Sequence, residues 1–248
     1  MKGYKFYLMV AAICAAASAL LYYIHYSIFQ DSHHIYIYLL GDIAYLPLEV
    51  FLVVIVIERV LTRREKTSML YKLNMAIGAF FSEIGNYLLA DLIKYFNNRD
   101  DISRNLNVTA SWTPKNFKDA DAFAYQLKID IDISNIDLEE LKKFLSRKRT
   151  YLLTLLENPN LLEHDRFTDL LWATTHLDEE LEARPSLKNL PKSDLNHLAV
   201  DIQRMYDHLA SEWLDYIQHL KANYPFLFSL VLRTHPFQAK PSAVFTEV

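Results

Sequence analysis

From Phe6 to Phe29 the chain runs for 24 residues without an Asp, Glu, Lys or Arg. Few folds are open to such a stretch, because about 20 apolar residues in helical form cross the ~30 Å hydrocarbon core of a bilayer. A second apolar run, Ile35–Ile57, follows after only Gln30–His34, a connector too short for anything but a tight turn between antiparallel helices. The expectation is a transmembrane helical hairpin over residues 1–61, with spans 6–29 and 35–57. A secretory signal peptide competes for the first run, since Lys2 and Lys5 supply a basic start and Ala15–Ala19 offer small residues for cleavage. The apolar run continues well past those alanines, where a signal segment would stop.

Lys2 and Lys5 precede the first span and Arg59, Arg63, Arg64 and Lys66 follow the second, whereas the connector carries Asp31 and no Lys or Arg. The excess of bases on one side predicts both termini in the cytosol, with the hairpin in the cytoplasmic (inner) membrane. Tyr4, Tyr7, Tyr22, Tyr23, Tyr26, Tyr36 and Tyr38 flank the spans, where an apolar ring with a wet hydroxyl belongs. The net charge of −4 hides an asymmetry: residues 1–72 hold seven of the 26 basic residues and five of the 30 acidic ones, leaving 19 and 25 to the rest. An acidic remainder argues against a nucleic-acid partner, whose phosphates need a basic footprint. One cysteine, Cys14, excludes an intrachain disulfide framework.

The second span is the less ordinary one, for it carries Asp42, Pro47 and Glu49. At 1.5 Å per residue Asp42 lies ~10 Å from the outer end and Glu49 ~12 Å from the inner end, too deep for either to snorkel out. An acid at the centre of a span costs ~2.5–3.5 kcal/mol on insertion scales, so it faces protein or water rather than lipid. Tyr38, Asp42, Tyr45 and Glu49 share one face, and Pro47 between them removes a backbone donor. Two readings follow. The stripe can pack against the first span, where Ser18, Tyr22 and His25 are candidate partners and Ala11, Ala15 and Ala19 allow close approach. Alternatively, several copies gather with the stripe inward and line a water-filled path whose carboxylate rings attract cations. Both predict a homo-oligomer.

Residues 62–237 read as a helical domain, so the expected fold class is all-α, with one possible short β element. The stretch Met69–Phe96 is apolar, but Glu83, Asp91 and Lys94 interrupt it and its longest uncharged run, Leu73–Ser82, is ten residues, too short to span. Its polar or small stripe, Lys72, Ala76, Ala79, Glu83, Asn86, Ala90, Lys94 and Asn97, predicts a mostly buried central helix. Gly78 and Ser82 would admit a close neighbour. Asn97–Phe117 reads as a loop, and Leu127–Ile133 alternates with the period of a strand. Asp137, with Glu140 three residues on, predicts a capped helix running to about Glu157. Pro159, Pro185 and Pro191 then leave helices at 163–183 and 193–224, the second with a core stripe of Leu198, Ile202, Met205, Leu209, Trp213, Tyr216 and Leu220. Pro225–Leu232 is a short apolar helix that must dock somewhere, and the tail 238–248 has little to bury and is expected to be disordered.

Beside the core stripe of the last long helix lie His208, Glu212, Asp215 and His219, and the preceding helix offers Asp169, His176 and Glu180. Carboxylates and imidazoles on facing helices are how bundles build divalent-metal sites. Against this stand the absence of a Glu-x-x-His pair and the ease with which boundary residues form i, i+4 contacts. No nucleophile motif, phosphate loop or glycine-rich turn accompanies them, so the reading leans away from an enzyme, and no cofactor is expected beyond such a metal.

Gly41-Asp42 and Pro47-Leu48-Glu49-Val50, the run Leu73-Asn74-Met75-Ala76-Ile77-Gly78-Ala79-Phe80-Phe81-Ser82-Glu83, and Glu212-Trp213-Leu214-Asp215-Tyr216 through His235-Pro236-Phe237 together carry a resemblance. The chain resembles a family of uncharacterised prokaryotic two-span membrane proteins with a cytosolic helical domain. That resemblance implies an architecture and attaches no activity. Three functions remain as expectations: a cation-permeable pore lined by Asp42 and Glu49, a non-conducting anchor that displays the helical domain to a cytosolic partner, and a metal-binding bundle.

Overall fold

The computed structural model describes residues 2–162 and 164–244, which divide into two compact units after Lys66. In the first unit, helix α1 (Lys2–Phe29) leads directly into α2 (Ser32–Phe80). The turn is tighter than the sequence predicts. Gln30 adopts a left-handed φ of 49° and its N–H reaches the carbonyl of Tyr26 at 2.8 Å, closing α1, while Asp31 Oδ1 accepts from His34 N at 3.1 Å and opens α2. Helix α2 continues through Pro47 without interruption. Proline lacks an N–H, so the carbonyl of Ile43 has no helical donor there.

By length and composition alone, three helical stretches among the described residues could cross a membrane: Phe6–Phe29, Ser32–Arg64 and Tyr71–Tyr95. The first two bury none of their apolar windows within the chain, whereas the third buries half of its window. That third stretch is the central helix of the second unit. Leu73, Ile77, Phe80, Phe81, Ile84, Leu88 and Leu89 are buried, and the Lys72–Asn97 polar stripe faces outward or lies at the boundary.

The central helix is not uniform. Phe81–Gly85 forms one π turn, followed by α3 (Asn86–Leu92) and a 3₁₀ turn at Ile93–Tyr95. A Cβ on Gly85 would sit 2.4 Å from the Phe81 ring, so glycine is what lets that ring fold back over the widened turn. Gly78 has the expected packing role, since a Cβ there would meet the Tyr216 ring at 3.3 Å, but Ser82 is exposed.

The expected loop at 97–117 contains a helix, α4 (Arg99–Leu106), with Asp100 and Asp101 in its first turn and Ile102 and Leu106 buried one turn apart. Thr113-Pro114 marks a helix start rather than a loop: Thr113 and Asn116 cap α5 (Pro114–Tyr125) reciprocally. Among the described residues no strand forms at 127–133. A lone antiparallel bridge joins Phe96 to Ile131, because two side-chain amides occupy the groups a neighbouring strand would need. Gln203 donates to the Leu127 carbonyl and accepts from Ile129 N, both at 2.6 Å, while Asn98 donates to the Lys128 carbonyl at 2.8 Å and accepts from Asp130 N at 3.0 Å.

The remaining helices follow the expected breaks: α6 (Leu138–Leu156), capped by Asp137 through Glu140 N at 3.0 Å, the short α7 (Pro159–Leu162), α8 (Asp165–Glu182), α9 (Lys192–Asn223) and α10 (Pro225–Thr234). Only half of the capping box closes at α6, because Glu140 lies 3.7 Å from Arg147 instead. Along α9 the expected core stripe is buried except at Tyr216, which is half-buried and stacks on Phe81 at 5.2 Å, and Ile217 takes the inner place. Helix α10 docks on the bundle through Phe228 and leaves Phe226 exposed. Gln238 returns to the Leu232 carbonyl at 2.5 Å, and residues 245–248 of the tail lie outside the described residues.

Candidate functional site

In the hairpin, Ser18, Leu21, Tyr22 and His25 of α1 and His34, Ile35, Tyr38 and Asp42 of α2 line one cleft of about 530 Å³. The upper half of the acidic stripe thus shares a cleft with all three partners expected of the first span, while Tyr38 and Asp42 themselves stay exposed. His34 joins them, stacked at 6.0 Å on His25 and 4.5 Å from the Tyr38 ring. The lower half, Tyr45 and Glu49, lies outside the cleft and is exposed, and among the described residues no side chain pairs with Glu49.

In the second unit the polar candidates gather along the seam between α8 and α9. The helices run antiparallel, for Arg166 near the start of α8 meets Ser211, Glu212 and Asp215 late in α9, and Glu180 near the end of α8 meets His197 early in α9. At 1.5 Å per residue these two polar clusters are roughly 20 Å apart along α8.

At the first cluster the sequence reading singled out Glu212 and Asp215 as candidate ligands; the structure sets a guanidinium between them. Arg166 lies 2.6 Å from Asp121 of α5, 2.9 Å from Asp215 and 3.4 Å from Glu212, and also bonds Ser211. Burial opposes the Arg166 charge, yet the Asp121 hydrogen bond and the surrounding carboxylates outweigh it and hold its proton more tightly. Glu212, only 2% exposed, is pushed up to about 8, chiefly by burial and further by Asp215 and Asp121, with Arg166 pulling the other way. It is therefore largely protonated at neutral pH.

The second cluster joins two residues the sequence singled out to two it missed. His176 and Glu180 stand one turn apart on α8; His197 and Asp201 stand one turn apart on α9. His176 Nε2 is 3.8 Å from Glu180 Oε1 and 3.6 Å from Asp201 Oδ1, and His197 Nε2 is 3.5 Å from Glu180 Oε2 and 3.4 Å from Asp201 Oδ2. Asp201 is 2% exposed and its Oδ2 has no hydrogen-bond partner, while the imidazoles are about half exposed. Each carboxylate is steadied by an arginine: Arg184 bonds Glu180 Oε2 at 2.8 Å and Arg204 bonds Asp201 Oδ1 at 3.0 Å. The Arg184 hydrogen bond holds the Glu180 carboxyl below its usual range.

The other candidates do not join either cluster. His208 lies 4.0 Å from its neighbour Asp207, His219 contacts Asn223 at 3.1 Å, and Asp169 is exposed. The readable signal for the missed pair was a His-x-x-x-carboxylate spacing, present at His176 and Glu180 and repeated at His197 and Asp201.

Residues 2–61 match a family model described as "MJ1433, N-terminal helical domain", and residues 69–233 one described as "Uncharacterized protein MJ1433, C-terminal helical domain". The similar relative "Uncharacterized protein MJ1433" of Methanocaldococcus jannaschii is 44% identical over 237 residues, which cover 95% of each chain. No solved structure matches.

Proposed function

This chain belongs to the MJ1433 family, and we propose that it is a two-span protein of the cytoplasmic membrane whose hairpin, residues 6–29 and 35–57, anchors a cytosolic helical domain for a partner to engage. The observation that carries this reading is the difference in burial. Both hairpin spans leave their apolar windows wholly uncovered, which in water would be an untenable surface, while the second unit buries its own core. The bases at Lys2, Lys5, Arg59, Arg63 and Arg64 support cytosolic termini. The shared cleft supports a hairpin in which Asp42, itself exposed, opens on the side of α2 that faces Ser18, Tyr22 and His25.

Glu49 favours a second reading. It is exposed in the middle of an apolar span with no partner among the described residues, and further copies of the hairpin placing it around an axis would give a cation-permeable pore. Protein reconstituted in lipid vesicles separates the two. The anchor predicts vesicles that stay tight to K⁺ and Na⁺ and a partner that the chain from Thr67 onward retains without the hairpin. Cation flux whose selectivity changes in Glu49→Gln would overturn the anchor and establish the pore.

A further inference from the structure

We propose that His176, Glu180, His197 and Asp201 form a binding site for one divalent transition-metal ion, with Zn²⁺ the preferred class, between α8 and α9. The inference is independent of whether the hairpin conducts. Its first ground is geometric. The four imidazole-to-carboxylate distances, 3.4, 3.5, 3.6 and 3.8 Å, are all too long for hydrogen bonds, whose donors and acceptors sit at about 2.7–3.2 Å. They are close instead to the ~3.4 Å that separates neighbouring donors around an ion with bonds of ~2.1 Å; His197 faces Asp201 Oδ2 and Glu180 Oε2, and His176 faces Asp201 Oδ1 and Glu180 Oε1. One donor atom each from Glu180, His197 and Asp201 already lies within 4.8 Å of the others.

The second ground is Asp201 Oδ2. It is a carboxylate oxygen of a side chain 2% exposed, directed into the cluster and without a hydrogen-bond partner. A buried anionic oxygen in that state calls for a cation. Arg204 does not supply it, because it holds the other oxygen, Asp201 Oδ1, and Arg184 bonds Glu180 instead. At Asp201 that division is the one expected of a metal-ligating carboxylate, with one oxygen fixed by an outer hydrogen bond and the other left to the ion. Two imidazoles and two carboxylates suit Zn²⁺, Fe²⁺ or Mn²⁺, and a four-donor tetrahedral set suits Zn²⁺ best. The repeated i, i+4 spacing on antiparallel helices puts both pairs on facing sides of one seam.

The test uses full-length, tag-free protein in detergent, freed of metal with a chelator and then titrated with ZnCl₂ at pH 7.5. The expected result is about one Zn²⁺ retained per chain after gel filtration, with a raised Tm. Co²⁺ in place of Zn²⁺ should give the intense visible bands of a tetrahedral centre. Both half-exposed imidazoles can be replaced without emptying the core, so the double variant His176→Asn/His197→Asn should fold with the metal-free Tm of the parent and bind Zn²⁺ at least tenfold more weakly. Retention of much less than one ion per chain, or binding unchanged in the double variant and hence owed to the other seven histidines, would overturn the proposal.

Discussion

The two ends of the α8–α9 seam present carboxylates to each other in the same antiparallel frame but neutralise them differently. At the Arg166 end a permanent cation fills the space between Asp121, Asp215 and Glu212, and the most buried of the three keeps its proton. At the far end Arg184 and Arg204 each bond one carboxylate, the half-exposed imidazoles lie within 4 Å of both, and Asp201 Oδ2 is left without a hydrogen bond. The first arrangement is complete within the chain; the second leaves room for a charge from outside it. Composition alone does not distinguish them. What decides is whether the positive group entering the seam carries its charge at every pH or acts as a neutral donor.

The largest test of this contrast is Arg166→Met, which takes the charged hydrogen bonds from the partly exposed Asp121 and Asp215 and should lower unfolding free energy by about 2–3 kcal/mol in urea titration. A loss near 1 kcal/mol would mean that the guanidinium does not organise that end. Next is Glu212→Gln. The folded state holds the Glu212 proton up to about pH 8, whereas the unfolded chain releases it near its ordinary 4.5, so stability falls as pH rises through that window, by up to ~1.4 kcal/mol per unit. The glutamine variant should flatten the profile of Tm against pH between 5 and 8, and an unaltered slope would assign the proton elsewhere. Smaller again, Arg204→Met should cost about 1–2 kcal/mol, since it removes one charged hydrogen bond to Asp201 from a half-exposed donor. The smallest effect is expected from His176→Asn in metal-free protein, below ~1 kcal/mol by thermal melt, because an exposed imidazole near a carboxylate adds little by itself.

The hairpin was legible because an uncharged run of sufficient length is a one-dimensional property, and the helices after 137 because Asp137, Pro159, Pro185 and Pro191 punctuate them. Helix α4 was hidden: in eight residues it shows only Ile102 and Leu106 as apolar signal against a polar background. The π turn was hidden because Gly85 looks like any helical glycine until the Phe81 ring is seen lying where its Cβ would be. Residue spacing placed Glu212 and Asp215 correctly beside the core of α9, but periodicity reports an angle around one helix and is silent on what faces it. Arg166, Asp121, His197 and Asp201 become visible as partners only once the antiparallel register of α8 and α9 is fixed. Spacing puts Asp42 and Glu49 on one helical face, yet the two have different surroundings, Asp42 in the cleft and Glu49 outside it.

Gln203 and Asn98 have an effect beyond local hydrogen bonding. An extended segment such as 127–131, with alternating isoleucines, ordinarily exposes a row of N–H and C=O groups on which a second chain can build, the first step toward aggregation. Here one amide side chain occupies each flank and satisfies an N–H and a C=O on that side. The segment is an extended stretch capped on both edges, with no template left for strand addition at 127–130. Those two amides act as a solubility device as much as a structural one.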